Sequence, residues 1–463
     1  MVTEDVLILS DSDVLKLIPR GPKGRLFTGH VKDFQADPLG FLQRLSGYGS
    51  IAKIRFGPFQ KVYLISDPDL IKQVLVTKAK SFVKSQDFNS LKPIIGEGLL
   101  TSEKQYHLRQ RRLIQPAFKR SNISGYGQSM IDITNDYVSK WRNGEERIIT
   151  QDTMNITLDI ISKTMFNLDF KEGYNTLGPP IETAMRIAVK RMRTLFNLPL
   201  WIPTKKNRDF KQAIKELDSV LYNIIEQRRQ DPIKHEDMLG ILMDARDEED
   251  GIGMTDEQVR DELMTIFLAG HETTANALAW TFYLLSQNPE AEQKLFDEVD
   301  RVIGSRMPAP EDFMKLPYLQ NVMWESMRMY PPAFVISRKA DEDVEIGGCH
   351  FRKGDMIMMS QYVMHRQPEY FPDPEMFRPE RFENNYVKTI PTYAYFPFGG
   401  GPRVCIGNHF AMMESVLIIA SIARRFRVKL APDHDPITPY PSITLRPRGG
   451  LRMIVEERKP DSG

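Results

Sequence analysis

The spacing of apolar residues along the chain predicts a mainly helical protein. Apolar side chains recur every three or four residues over 126–142, 151–167, 208–229, 255–287, 290–303 and 318–330, which is typical of helices with one buried face. Residues 51–66 instead alternate apolar and polar positions on both sides of Gly57-Pro58, which predicts a β-hairpin. A second strand-like patch covers about 343–360, with glycine turn signals at 347–348 and 354. We therefore expect a mainly α fold with small β-sheets (α+β), in which one large helical unit has a β-rich N-terminal side.

The longest helical pattern begins at a capping box formed by Thr255 and Gln258 and continues to Gln287. Its centre is apolar and then becomes abruptly polar in the run Gly-His-Glu-Thr-Thr, residues 270–274. An acid beside two alcohols inside a core helix costs free energy unless function requires it. The hydroxyls and Gly270 also favour a local distortion, which would open a groove in the helix. For an isolated segment, a solvent-facing polar patch would be the simpler interpretation.

The length and composition favour one domain without fused modules. The chain has 463 residues and a mass of 53.4 kDa, above the usual ~100–200 residues of one domain, but no Gly/Ser/Pro-rich linker divides it. We expect a single domain over 1–463, with a lead-in of about 1–20 and no fused reductase.

Charge and cysteine content exclude several classes of protein. The 62 basic and 61 acidic side chains give a net charge of +1, which favours neither nucleic acid nor an anionic membrane as a partner. Two cysteines indicate a reducing compartment without a disulfide framework. The N-terminus carries acids where a signal peptide needs basic residues, and its apolar run is too short for a membrane span. We expect a soluble, cytoplasmic protein without a membrane anchor.

The run Phe-Pro-Phe-Gly-Gly-Gly-Pro-Arg-Val-Cys-Ile-Gly, residues 396–407, carries the most specific chemistry. It presents Cys405 on a glycine-rich loop just before a helix-like segment, where the helix dipole favours a thiolate. Four glycines would let a flat group approach the backbone, Phe398 offers it an aromatic face, and Arg403 can neutralise its acid groups. These requirements describe an iron porphyrin with one axial thiolate. A buried structural cysteine is the alternative, and a phosphate loop is disfavoured because no Gly-Lys-Ser/Thr follows.

Two motifs together resemble those of the cytochrome P-450 superfamily of haem-thiolate monooxygenases. Phe398-x-x-Gly401-x-Arg403-x-Cys405-x-Gly407 resembles its haem-binding signature, and Ala269-Gly270-x-Glu272-Thr273-Thr274 resembles its oxygen-activation motif. The resemblance implies haem b (iron protoporphyrin IX) as cofactor, with Cys405 as the axial metal ligand. It also implies that Glu272 and Thr273 are catalytic and pass protons to oxygen.

Further segments agree with this resemblance. Glu325-x-x-Arg328, followed by Pro331-Pro332 and by the run 377–382, resembles the buried Glu-Arg-Arg cluster of the superfamily, with Arg381 as its third member. The resemblance implies further cofactor-binding residues beside Phe398, which would contact the haem propionates: His107, Arg111, Arg338 and Arg403. The candidate substrate-pocket residues stand in three apolar segments: Leu100, Phe267, Ala269, Ala333 and Val335. The resemblance implies that Leu100, Ala269 and Ala333 lie nearest the iron.

The function implied is hydroxylation or epoxidation of a lipophile such as a fatty acid, terpenoid or steroid, with dioxygen as cosubstrate. Electrons would come from NAD(P)H through a ferredoxin or flavodoxin and its reductase, which would dock on the basic residues Arg109, Arg112, Lys119 and Arg120. The basic stretch containing Lys190, Arg191 and Arg193 could anchor a carboxylate, although a solvated helix face is the better explanation. Two alternatives remain: a peroxide-using peroxygenase, which tends to lack the acid–alcohol pair, and a haem-binding sensor without catalysis.

Overall fold

The computed structural model describes residues 19–167, 173–192, 194, 197–233, 235 and 237–458. Contacts divide the chain into two compact units. The sheet unit comprises Met1–Phe88, Arg328–Met376 and Phe382–Cys405, and the helix unit comprises Asn89–Met327, Phe377–Arg381 and Ile406–Gly463. Most of the predicted lead-in and Arg193 lie outside the described residues.

The helices, numbered in chain order, are α1 Val31–Ala36, α2 Pro38–Ser46, α3 Pro68–Lys72, α4 Lys92–Ile95, α5 Lys104–Ile114, α6 Arg120–Ser139, α7 Ile149–Phe166, α8 Gly173–Met192, α9 Lys205–Gln230, α10 Met238–Asp244, α11 Asp256–Gln287, α12 Pro289–Val302, α13 Pro317–Met329, α14 Gln361–Met364 and α15 Asn408–Ala423. The strands are β1 Ile51–Phe56, β2 Gln60–Ile65, β3 Phe82–Lys84, β4 Glu145–Ile148, β5 Ile336–Ala340, β6 Val344–Ile346, β7 Cys349–Phe351, β8 Met356–Met359, β9 Phe426–Leu430, β10 Pro439–Pro441, β11 Leu445–Pro447 and β12 Arg452–Glu457. Each of the six predicted helices is confirmed within a few residues at either end, apart from an earlier start of α6.

The sheet unit is built around five strands in the order β1-β2-β8-β5-β3. The predicted hairpin is confirmed as β1 and β2, which pair antiparallel with Ile54 opposite Val62. The patch at 343–360 divides between two sheets: β6 and β7 form a separate hairpin, whereas β8 pairs in parallel with β2. Apolar residues of the strands and of α2 form the core of this unit.

The helix unit is organised around α11, which packs against α7, α9 and α15. Its predicted capping box is present, because the Thr255 hydroxyl accepts from the backbone N–H of Gln258 and the Gln258 side chain accepts from that of Thr255. The strands β4, β12 and β9 form a three-stranded sheet, and β10 and β11 form a hairpin. Within the described residues, no helix combines the length and apolarity needed to cross a membrane.

The expected distortion of α11 at Gly270 is not observed, because the backbone remains α-helical from Asp256 to Gln287. The hydroxyls of Thr273 and Thr274 do bond the carbonyls four residues earlier, as expected. A Cβ at position 270 would lie 2.8 Å from Cδ1 of Ile161 on α7. Glycine at this position therefore permits close packing of two helices without breaking either of them.

Candidate active site

One face of α11 is open at the centre of an otherwise buried helix. Ala269 is exposed and Thr273 half-buried, whereas most residues around them are buried. The Thr273 hydroxyl donates to the Ala269 carbonyl at 2.6 Å, so its oxygen retains lone pairs for an incoming donor. Glu262, Thr265, Ala269 and Thr273 recur at intervals of three or four residues and therefore share this face.

The acid of the motif is bound to the β10–β11 hairpin. Oε1 of Glu272 accepts from the Thr444 hydroxyl at 2.5 Å and from Nη2 of Arg446 at 2.8 Å. Nδ2 of Asn276 donates to the Thr444 oxygen at 3.0 Å, which directs the Thr444 proton towards Glu272. One turn further along α11, the Trp280 indole donates to the Leu445 carbonyl at 3.0 Å. Glu272 is 8% exposed, so these contacts orient a nearly buried carboxyl group.

Thr444 and Arg446 could not be predicted from the sequence, because they contact the acid from more than 170 residues away in the chain. No motif surrounds them, and Arg446 is 43% exposed at its side chain. The sequence does contain one signal. Glu272, Asn276 and Trp280 carry polar groups at intervals of four residues, so they share one face of α11, and this pattern indicates a polar partner along that face.

His271 and Phe267 face α7 on another side of α11. The His271 ring donates from Nδ1 to the Phe267 carbonyl at 2.9 Å, and burial lowers the pKa of His271, which keeps it neutral at pH 7. The Phe267 ring packs against Phe166 and His271, with ring centroids 6.5 and 5.6 Å away. Because Phe267 lies about 200° around the helix from Ala269, it belongs to the core between α7 and α11. We therefore remove Phe267 from the predicted substrate pocket.

A second buried acid, Glu414 on α15, lies next to Thr274. Glu414 is 1% exposed, and burial raises its pKa well above the ordinary value. The neighbouring Thr274 hydroxyl donates to the Gly270 carbonyl at 3.0 Å. Burial therefore favours the neutral form of the Glu414 carboxyl group. The sequence pattern did not single out this acid within the apolar helix.

The cysteine loop, residues 396–405 of the sheet unit, closes on itself. The backbone N–H of Cys405 donates to the Phe398 carbonyl at 2.9 Å, and the N–H of Phe396 donates to Nε2 of His365 at 3.0 Å. His365 is fully buried and anchors the start of the loop, which the sequence did not reveal. Cys405 is exposed, whereas the other cysteine, Cys349, is buried in the core of the sheet unit.

Two of the loop glycines have a different role from the one expected. A Cβ at Gly400 would lie 2.3 Å from the Tyr393 ring, and a Cβ at Gly401, where φ is +64°, would lie 1.9 Å from the Leu75 carbonyl oxygen. The protein itself requires glycine at these positions to seat the loop. The donor set nevertheless fits a haem-thiolate group, since an exposed, soft sulfur stands on a loop that is fixed by backbone hydrogen bonds.

The predicted propionate partners fall in both units. In the helix unit, His107 is buried and Arg111 half-buried, one turn apart on α5. In the sheet unit, Arg338 on β5 is 8% exposed and donates to the Ser337 carbonyl at 2.9 Å, and Arg403 is half-buried on the cysteine loop. Their role towards a haem stays a prediction.

The predicted structural cluster has buried members in each unit. In the helix unit, Glu325 is fully buried, accepts from the Arg378 backbone at 2.8 Å and lies 3.4 Å from Nε of Arg381. In the sheet unit, Arg328 is fully buried and donates to three carbonyls, those of His365, Pro374 and Met376, at 3.0, 2.7 and 3.2 Å. The guanidinium of Arg328 therefore holds the chain segment that precedes the cysteine loop.

The remaining predicted residues are distributed as follows. Leu100 is half-buried in the helix unit. In the sheet unit, Ala333 is exposed, and Val335 packs against the core beside α2. Arg191 donates to the Leu198 carbonyl at 3.0 Å, and Lys190 lies beside Lys206, whose pKa it lowers.

The basic surface predicted to receive an electron donor is partly neutralised. Arg112 pairs with Asp247 at 3.1 Å and with Glu249 at 2.9 Å, and Arg109 lies 3.7 Å from Asp247. These acids precede α11 in the chain and reduce the positive field that Arg109 and Arg112 project. Lys119 and Arg120 are exposed and remain candidates for docking.

Comparison with known proteins identifies the class. The family model for Cytochrome P450 matches residues 19–453. Cyclooctatin synthase of Streptomyces melanosporofaciens is 36% identical over 443 residues, covering 94% of this chain and 95% of the relative. Cyclooctat-9-en-7-ol 5-monooxygenase of the same organism is 34% identical over 441 residues, covering 93% of each chain. Pentalenene oxygenase of Streptomyces avermitilis is 30% identical over 436 residues, covering 93% of this chain and 96% of the relative.

The chain therefore belongs to the cytochrome P450 family. It is a haem monooxygenase that acts on a lipophilic substrate, and the family implies a haem with a cysteine thiolate ligand and electrons from redox partners.

Proposed function

We propose that this monooxygenase hydroxylates a cyclic terpenoid, with Cys405 as the haem ligand and electrons supplied from NAD(P)H by a ferredoxin or flavodoxin. The names of two bacterial relatives refer to cyclooctat-9-en-7-ol and pentalenene, which favours a terpenoid over a fatty acid or steroid. The small side chain of Ala269 on the open face of α11 suits a broad ligand better than a thin alkyl chain.

The observation that carries the proposal is the arrangement of Glu272 and Thr273 on α11. The Thr273 oxygen lies on the open face of the helix. The neighbouring Glu272 is bound by the Thr444 hydroxyl and by the Arg446 guanidinium, which is accessible to solvent. The bound haem supplies the oxidising chemistry. The protein supplies protons, and positioned proton transfer typically contributes ~10²–10⁴-fold.

Glu272 and Thr273 divide this work between them. With the haem bound, Glu272 would take protons from the solvent side, where Arg446 is partly exposed, and Thr273 would hold the water molecule that passes them on. A peroxygenase needs no such delivery of protons, so this pair favours the use of dioxygen with an electron donor. A sensor without catalysis likewise has no use for the pair.

The ligand assignment is tested with Cys405→Ser, and Cys349→Ser serves as the matched control because Cys349 is buried in the sheet-unit core. We expect the reduced, carbon monoxide-bound protein to lose its thiolate absorption band in Cys405→Ser and to keep it in Cys349→Ser. A persisting band in the Cys405 variant would show that another residue ligates the iron.

The substrate and electron supply are tested by reconstitution. Purified protein is given NADH or NADPH with a ferredoxin or a flavodoxin and the matching reductase, or hydrogen peroxide alone. The substrate panel contains cyclic terpene hydrocarbons, cyclic terpene alcohols, fatty acids and steroids, and products are identified by mass spectrometry. Turnover of fatty acids alone, or turnover with peroxide but not with the redox proteins, would contradict the proposal.

A further inference from the structure

Two consecutive acids of α11 bind the backbone of the chain segment 96–102. Oδ2 of Asp261 accepts from the N–H of Glu97 at 2.8 Å, and Oε2 of Glu262 accepts from the N–H of Leu99 at 2.8 Å. All of these residues belong to the helix unit. The carboxylates thus bind alternate amides of a segment that has no regular strand or α-helix of its own between α4 and α5.

The segment is shaped to lie against the helix at two glycines. Gly96 has φ +54°, and a Cβ there would lie 2.0 Å from Oδ2 of Asp261. A Cβ at Gly98 would lie 2.2 Å from Oγ1 of Thr265. Any larger residue at either position would push the segment away from α11, so the glycines and the acids act on the same contact.

Burying Glu262 is costly, which argues against an incidental contact. Glu262 is fully buried, and burial raises its pKa to about 8. Its neighbour Asp261 is paired with Arg260 at 2.9 Å, and the Arg260 guanidinium also binds Asp218. Oε1 of Glu262 and Oγ1 of Thr265 are buried without a hydrogen-bond partner. An apolar residue would fill this position at lower cost if packing were the only requirement.

The contact between α11 and the segment 96–102 lies on the same helix as Ala269 and Thr273, which relates it to substrate binding. Glu262 and Thr265 share the open face of α11 with Ala269 and Thr273, and Glu262 precedes Ala269 by about 10 Å along the helix axis. Leu99 is held at Glu262 through its own amide, and Leu100 follows it. Leu99 therefore lies beside this face about two turns before the exposed Ala269, and Leu100 is the next residue of the chain.

We propose that Asp261 and Glu262 are positioning residues that hold Leu99 and Leu100 as the wall at one end of the substrate pocket. By fixing this wall, the two acids determine which carbon of a lipophile reaches the part of α11 that carries Thr273. We call these two contacts, from Asp261 to the Glu97 amide and from Glu262 to the Leu99 amide, the clamp. The clamp itself does not depend on the proposed function, whereas its effect on selectivity does.

The clamp is tested by hydrogen exchange at the individual amides of Glu97 and Leu99 in the full chain. Glu262→Leu removes the acceptor, and Glu262→Gln keeps an acceptor of the same shape. Glu298→Leu is the matched control, because Glu298 is a buried acid that accepts from two backbone amides, those of Tyr318 and Leu319, at 2.9 Å each. We expect exchange at the Leu99 amide to accelerate ~tenfold or more in Glu262→Leu, because the amide loses the free energy of one hydrogen bond. Exchange at this amide should change little in Glu262→Gln and Glu298→Leu.

A further variant reaches the segment without altering either acid. Gly98→Ala should displace the segment from Thr265 and accelerate exchange at both amides, and it also serves if Glu262→Leu does not fold. Unchanged exchange at Leu99 in Glu262→Leu, or in Gly98→Ala when the former does not fold, would overturn the clamp. Equal acceleration in Glu298→Leu would show general loosening and would overturn it as well.

Selectivity is tested on the haem-loaded enzyme with a lipophile that gives several hydroxylated products. We expect Glu262→Leu and Gly98→Ala to change the product ratio, while Glu262→Gln and Glu298→Leu keep the wild-type ratio. Faster exchange with an unaltered ratio would refute the pocket-wall role. Loss of the proposed function is recognised separately, because wild-type protein would then give no product while the exchange difference persisted.

Discussion

Arg446 of β11 pairs with Glu272 of α11 at 2.8 Å, although 174 residues separate them. Thr444 binds the same carboxylate oxygen at 2.5 Å, so the acid of the oxygen-activation motif is oriented by a hairpin near the end of the chain. The β10–β11 hairpin thus fixes the side chain to which the proposed function assigns proton delivery.

Replacing Arg446 with glutamine should lower the yield of product per NAD(P)H consumed by ~tenfold, because Glu272 loses its charged partner and samples other orientations. Arg446→Lys should recover part of this loss. Arg452→Gln is the control, since Arg452 is a comparably exposed arginine of the same unit that pairs with Glu146 at 3.2 Å. An unchanged yield in Arg446→Gln would show that the hairpin does not tune proton delivery.

Thr273→Ala should retain haem and consume oxygen but form ~10²-fold less product, with the electrons diverted to peroxide or water. The adjacent Thr274→Ala is a demanding control, because Thr274 makes the same bond to a carbonyl four residues earlier but is buried beside Glu414. The measurement is product and peroxide per NAD(P)H. Equal uncoupling in both variants would mean that helix stability, and not a positioned alcohol, explains the effect.

Arg328→Ala should yield little folded holoprotein, because three buried carbonyls lose their donor. Breaking a buried charged network costs ~3–5 kcal/mol. Thermal melting and haem content report the loss, and Arg352→Ala at an exposed position of the same unit should leave both unchanged. Wild-type melting of the Arg328 variant would show that these contacts are dispensable.

Glu262→Gln should flatten the dependence of stability on pH. The pKa of Glu262 is raised from 4.5 to about 8, chiefly by burial and then by the charge of Asp261. The folded state therefore binds a proton that the unfolded state releases, and wild-type stability falls as pH rises from about 4.5 to about 8. Each unit of raised pKa corresponds to about 1.4 kcal/mol, so the effect should reach a few kcal/mol.

Chemical denaturation of the wild-type and Gln proteins at pH 5, 7 and 9 measures this dependence. Asp261, Tyr106 and Glu97 also face this region, but none of them is altered in the variant. Parallel pH profiles for the two proteins would show that Glu262 does not titrate in this range.

The local parts of the fold could be predicted because their causes are local. The capping box of α11, the β1–β2 hairpin and the helix after the cysteine loop follow from residues a few positions apart. The parallel pairing of β2 with β8 and the pairing of Glu272 with Arg446 depend on contacts between distant segments, which apolar periodicity does not encode.

The candidate site shows the same division. Cys405, Glu272 and Thr273 belong to short motifs and could be proposed from the sequence, whereas Arg446, Thr444, His365 and Glu414 have no motif around them. Phe267 stands in the same apolar run as Ala269, but two residues along a helix lie on nearly opposite sides. An apolar run alone therefore does not tell which of its residues faces a pocket.

The discontinuous sheet unit has a consequence for how the protein is made. Strand β2 emerges from the ribosome long before its parallel partner β8, since β2 ends at Ile65 and β8 at Met359. At ~5–20 residues per second, translation leaves this strand edge uncovered for roughly fifteen seconds to a minute. An uncovered strand edge can pair with other chains. The yield of soluble protein should therefore respond more to translation speed and chaperone supply than its final stability would suggest.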